Sequence, residues 1–217
     1  MGLIPNESYD YWRISDGMVR KTTTEDDPLA IKRTIKKDGK PDKVMFEQVN
    51  KGLRGVIESV EARDGQFGRQ LYIAITDGIE RFYLQVAWDS SYSRSFLERL
   101  PGIDLSKDVD IIPYSFTDKK NKKRSGITLN QDGVKIPSYF REYNEDFTSS
   151  THSYGYPEGG DDMETDDWKI LGIQQMKFLK SKVVDAFPFF EFEGATEGAT
   201  EGVNPKVDDK PKDDLPF

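Results

Sequence analysis

In ERFYLQVAW, residues 80–88, apolar and polar side chains alternate: Phe82, Leu84, Val86 and Trp88 fall on one side, Arg81, Tyr83 and Gln85 on the other. Such alternation marks a half-buried strand, because successive side chains of an extended chain point to opposite faces. The same texture recurs before it in KGLRGVIESVEA and LYIAIT, and after it in VDIIPYSF, GITLNQ and VKIPSYF. Turn signals punctuate the runs at RDGQFGR, Asp77-Gly78 and Asp132-Gly133. Between the third and fourth runs, DSSYSRSFLERLPG predicts a short helix: Asp89, Ser90 or Ser91 caps its first amides, and Tyr92, Phe96 and Leu100 share one face. Pro101-Gly102 then stops it. Three strands, a helix, then two or three strands is the order of the OB-fold, a five-stranded Greek-key barrel, to which residues 51–147 are assigned; other small barrels, SH3-like ones included, share much of this pattern.

The flanks read differently. YWRISDGMVRKT predicts a hairpin about Asp16-Gly17 that packs against the barrel. IKRTIKKDGKPDK, with six basic residues from Lys32 to Lys43, suggests an exposed loop or short helix, so residues 1–50 form an N-terminal extension. Residues 148–190 hold a polar linker and then the helix WKILGIQQMKFLKSKVVDAF, which aligns Ile173, Met176, Leu179, Val183 and Phe187. That face packs on the barrel, or meets a second copy in a homo-oligomer. Residues 191–217 include the repeat EGATEGATEG at 193–202, too poor in apolar side chains to fold, and are expected to be a disordered acidic tail. The fold class is therefore mainly β, with a C-terminal helix.

Composition sharpens this picture through its distribution. The chain is 35% apolar and 32% charged with a net charge of −8, yet residues 1–150 carry 24 basic and 24 acidic side chains. The excess lies beyond them, where 7 basic face 15 acidic residues. An acidic protein ordinarily repels nucleic acid, but here the objection applies only to the C-terminal third. Cysteine is absent, which excludes disulfides, zinc-thiolate sites and thiol nucleophiles, and the single histidine, His152, has no neighbours resembling a triad. Neither a signal peptide nor an apolar run long enough for a membrane span is legible, so a cytoplasmic location without membrane contact is expected.

Candidate chemistry concentrates on the outward sides of the strands. Tyr72 alternates with Leu71 and Ile73, and Arg81 and Tyr83 with Phe82 and Leu84. Aromatic platforms among cations suit single-stranded nucleic acid, since every base has a stackable face and every linkage a phosphate. The loop KKNKKR adds Lys119, Lys120, Lys122, Lys123 and Arg124 at the edge of an OB groove, and Arg54 joins from the first barrel strand. Asp64, Asp77, Asp89, Asp118 and Asp132 all fall at turns or helix caps, where aspartate has a structural reason to be. No catalytic residue, metal ligand or cofactor is assigned. A metal-dependent nuclease, or an adaptor that does not touch DNA, is the alternative.

The chain finishes on Asp213, Asp214, Leu215, Pro216 and Phe217 behind the low-complexity spacer. With the OB-like body, this ending resembles the tails of bacterial single-stranded DNA-binding proteins and their phage-encoded counterparts. The resemblance implies a host-cell location and a coat for single-stranded DNA in replication, recombination and repair. It also implies docking of replication and recombination proteins (polymerase, helicase, primase or nuclease type) on those five residues, whose phenylalanine enters an apolar pocket of the partner. Family members further use the tail as an internal competitor for the DNA groove. The N-terminal hairpin, LPF in place of the commoner IPF, and the added helix depart from the bacterial pattern and look more like a phage protein.

Overall fold

The computed structural model describes residues 10–37, 40–66, 68–143, 150–160 and 162–190. Twelve strands and two α-helices are formed there: β1 (Asp10–Ser15), β2 (Met18–Thr23), β3 (Ile31–Lys37), β4 (Lys40–Asn50), β5 (Leu53–Gly65), β6 (Gly68–Thr76), β7 (Arg81–Ala87), α1 (Ser91–Leu97), β8 (Val109–Thr117), β9 (Lys123–Gln131), β10 (Val134–Lys135), β11 (Arg141–Tyr143), β12 (Ser150–His152) and α2 (Thr165–Leu179). Ten of the strands make one mixed, open sheet in the order β10-β9-β8-β5-β6-β7-β1-β2-β4-β3.

The expected five-stranded barrel is thus replaced by a longer open arrangement in which β7 and β9 are not paired. β7 pairs instead with the N-terminal strand: β1 lies parallel to it, Tyr11 opposite Tyr83 and Arg13 opposite Gln85. Helix α1 packs against both β7 and β9. The turn of the β1-β2 hairpin then folds down onto β8, where Gly17 lies against the backbone of Tyr114 and Ser115, and its amide donates to Tyr92 Oη of α1 at 3.0 Å.

The basic stretch 31–43 contradicts its expectation as a loop or short helix. It contributes β3 and the start of β4, an antiparallel pair at the end of the sheet. Edge strands dense in Lys and Arg discourage pairing with other chains, so a charge run and a strand are compatible here.

The core lies under β5-β9 and α1, with Leu71, Ile73, Ile75, Leu84, Phe96, Leu97, Ile111, Ile127 and Leu129 fully buried. Each such side chain stabilises the fold by roughly 1.5–3 kcal/mol. Ser90 caps α1, its hydroxyl accepting from the Ser93 amide at 3.2 Å. Strand β5 bends as it leaves β8 for β6, and Gly55 sits at the bend with φ +156°. A Cβ there would stand 2.4 Å from the Thr76 carbonyl oxygen. Gly55→Ala should therefore cost about 2 kcal/mol in urea unfolding, through clash and backbone strain together; a loss under about 0.5 kcal/mol would show that the bend can relax.

Beyond the sheet, residues expected as linker are held in place. β11 and β12 pair, placing His152 on a strand rather than in a loop. Tyr154 stacks on Tyr139 with centroids 5.2 Å apart, and Tyr156 on Phe140 at 5.4 Å. Tyr156 donates from its hydroxyl to Glu98 at 2.7 Å, and burial followed by the Glu98 charge pushes its pKa far up. Asp167 accepts from the Glu164 amide at 3.0 Å and closes the start of α2. Met176, Leu179 and Val183 face the core as expected and Phe187 packs against it, but Ile173 is 56% exposed; Leu171 and Val184 are buried instead. Apolar residues occupy two sides of α2, so periodicity alone could not choose between them.

Candidate nucleic-acid interface

Alternation in β6 and β7 settles the direction of the predicted tyrosines. Tyr72 is paired with Gln85, Ala74 with Tyr83 and Thr76 with Arg81, all opposite to the buried Leu71, Ile73 and Leu84. Tyr72, Tyr83 and Arg81 thus share the outer face. Tyr11 of β1 joins them, stacked on Tyr83 with centroids 5.5 Å apart and 27° between planes. The Arg63 guanidinium lies 5.0 Å from the Tyr72 ring centre, and that of Arg81 lies 6.0 Å from Tyr83. Gln85 donates to the Tyr72 hydroxyl at 3.0 Å. Carboxylates temper the cations: Glu61 pairs with Arg63 at 2.8 Å, and Glu58 accepts from Arg81 Nε at 2.5 Å.

Further along this face, β1, β2, β3 and β4 bring Arg13, Arg20 and Arg33 around one carboxylate, Glu47, whose side chain is 1% exposed. Arg13 hydrogen-bonds one carboxylate oxygen; Arg20 reaches the other at 3.1 Å and Arg33 lies 3.6 Å from it. Burial pushes Glu47 up, but the hydrogen bonds and charges of Arg13 and Arg20 outweigh it and hold the carboxyl below its ordinary value. One buried anion thereby anchors three cations at the edge of the tyrosine face.

The other predicted cations are not alike. Arg54 projects from the same face beyond the bend, but its guanidinium is engaged by both oxygens of Asp110 at 2.5 and 2.9 Å. In the loop after β8, Asp118 accepts from the amides of Lys122 and Lys120 at 2.8 and 2.9 Å and from Arg124 Nε at 3.0 Å. Those contacts, the Lys122 amide foremost, hold its carboxyl below the usual range. Lys123 reaches Asp16 in the hairpin turn at 3.6 Å. Among the described residues, Lys119, Lys120 and Lys122 are exposed and form no ion pair. The loop is therefore a folded turn presenting three lysines, tied at both ends.

Two further aromatics were not singled out from the sequence. Tyr114 and Phe116 of β8 project outward beside this loop, 36% and 56% exposed, with centroids 6.0 Å apart. They line a groove of about 630 Å³ with Arg99, Asp118, Arg124, Thr128 and Lys135. Gly126 lies directly beneath: a Cβ there would stand 2.6 Å from Tyr114 Oη. The signal was present in VDIIPYSF, where Ile112, Tyr114 and Phe116 alternate with buried Val109 and Ile111 in the same way as the chosen strands. Tyr11 and Arg13 were equally legible around buried Trp12.

Asp213, Asp214, Leu215, Pro216 and Phe217 lie outside the described residues. Within the described residues, no group of three or more His, Asp or Glu side chains is placed to hold a metal ion, and no helix is long and apolar enough to cross a membrane. No protein-family model matches the chain, and neither a curated protein nor a solved structure matches it.

Proposed function

We propose that this chain is a non-catalytic single-stranded DNA-binding protein that coats its ligand with little sequence preference. The observation that carries the reading is the outer face on which Tyr11, Tyr72 and Tyr83 stand among Arg13, Arg63 and Arg81. Ring faces take any base, and guanidiniums already resting near the rings can turn to phosphate, which suits binding without base readout. Lys119, Lys120 and Lys122, exposed in the loop between β8 and β9, would add positive charge for phosphate.

The finer fold reading is proposed on the same footing. The order β5-β6-β7-α1-β8-β9, with β5 shared between β6 and β8, follows the connectivity of an OB-fold, and β1 would then fill the gap between its third and fifth strands. The DDLPF ending supports kinship with phage single-stranded DNA-binding proteins, a role in replication, recombination and repair in the host cytoplasm, and recruitment of partner enzymes through residues 213–217.

Titration with oligo-dT, followed by Trp and Tyr fluorescence over a range of salt, tests this. Quenching is expected, with log affinity falling by about 0.7 per phosphate neutralised as log salt rises. Replacing Lys119, Lys120 and Lys122 together by alanine should lower that slope by about 2. No quenching would point to an adaptor instead, and loss of the oligonucleotide in magnesium to a nuclease.

A further inference from the structure

The outward side of α2 carries Trp168, Ile170 and Ile173, each more than half exposed. Two of them, with Trp88 and Met176, wall a groove of about 510 Å³ between this helix, α1 and the start of β6. Its size is that of a binding cleft, and its walls are apolar. Cations crowd its edge: Arg69, Arg94, Lys169, Lys177 and Lys180, against one lining carboxylate, Asp89. Three of these already lean on exposed aspartates, Arg69 on Asp64, Lys169 on Asp166 and Lys180 on Asp185. Such exposed pairs are worth little and exchange readily. Lys177 forms no ion pair among the described residues, and Arg94 Nε is buried without a hydrogen-bond partner among them. The groove shares no lining residue with the tyrosine face.

An apolar slot edged by positive charge fits a peptide that is acidic with an apolar cluster beside the acids. The chain contains one. Beyond Phe190, residues 191–217 hold eight acidic and three basic side chains, and two aspartates adjoin Leu215, Pro216 and Phe217. We propose that residues 208–217 occupy this groove in the same molecule, Leu215 and Phe217 against Trp168 and Ile173, Asp213 and Asp214 toward Lys177 and Arg94.

Reach permits it. Lys180, at one end of the groove, precedes Phe190 by ten residues. Residues 191–217 number 27, and any flexible chain of that length would span about 30 Å end to end. A tether of that length supplies the segment at roughly millimolar effective concentration, so even a weak site is filled. The seat lies apart from the proposed DNA face, so bound oligonucleotide leaves it occupied. This inference does not depend on the DNA-binding reading.

The test uses the full chain and a full-length variant carrying Leu215→Asp and Phe217→Asp. Tryptophan emission of the variant should lie to the red of the parent, as Trp168 becomes more exposed. A synthetic peptide of residues 208–217 should reverse that shift saturably in the variant, more weakly at high salt. The parent, its groove already filled, should need about tenfold more peptide. Adding Ile173→Asp to the variant should abolish peptide binding, with unchanged thermal unfolding showing that the fold persists. Identical emission of parent and variant, equal peptide affinity for both, or binding that survives Ile173→Asp would overturn the proposal. Displacement of the peptide by oligo-dT would do so as well, by placing the seat on the DNA face. Failure to bind oligo-dT with the peptide results intact would sink the DNA-binding reading alone.

Discussion

Tyr83→Ala is expected to bind oligo-dT about five- to 150-fold more weakly than the parent chain if the outer face carries the proposed DNA site, since a base stacked on an aromatic ring is worth about 1–3 kcal/mol. Tyr83 stacks on Tyr11 and lies close to Arg81, so its removal also withdraws one side of a platform built from two strands. A stability loss of about 1 kcal/mol should accompany it, because an aromatic pair contributes that much beyond its buried area. Tyr83→Phe is the control: it keeps the ring, so both ring stacking and affinity should stay near the parent values. An alanine variant with parental affinity would remove this face from consideration and leave Tyr114 and Phe116 as the stacking surface.

Glu47→Gln is expected to be the most destabilising single change on the face, at about 3 kcal/mol near neutral pH. Removing one partner of a buried ion pair costs about 3–5 kcal/mol, and the partial exposure of Arg13 and Arg33 places this case at the lower end. The pH dependence follows from the sign of the shift. Glu47 is held below its ordinary value of 4.5 in the fold, so the unfolded chain takes up its proton first as pH falls. The stability it confers is complete above about pH 4.5 and is lost as pH drops through the lower folded value. Urea midpoints measured from pH 7 to pH 3 should therefore converge for parent and variant; a constant gap would mean that the carboxylate charge is immaterial. The variant also leaves Arg13, Arg20 and Arg33 without their anion, so its oligo-dT binding should become steeper in salt by as much as about 0.7.

Much of the sheet was readable because each clue was local. The Asp16-Gly17 hairpin, the paired faces of β6 and β7 and the Ser90 cap depend on residues a few positions apart. Where reading failed, two local descriptions fitted the same residues. The run from Lys32 to Lys43 is as polar as a loop, yet edge position lets charged side chains cover a strand. Helix α2 is apolar on two sides, and only packing against the core, with Phe178 set edge-on to Phe140 and Tyr156, selects Met176 and Leu179 over Ile173. The segment around His152 lacks strand composition and is ordered by aromatic rings that reach it from Tyr139 and Phe140.

Period-two alternation alone decided that Tyr72, Arg81 and Tyr83 would leave the core together, because consecutive side chains on a strand must point to opposite faces. It could not decide who would stand beside them. Tyr11 meets Tyr83 only because β1 pairs in parallel with β7, and Arg13 and Arg20 meet Glu47 across 34 and 27 residues of chain. Such neighbours are set by which strand edges find each other and what the packed sheet excludes from water, and no short stretch of sequence carries that information.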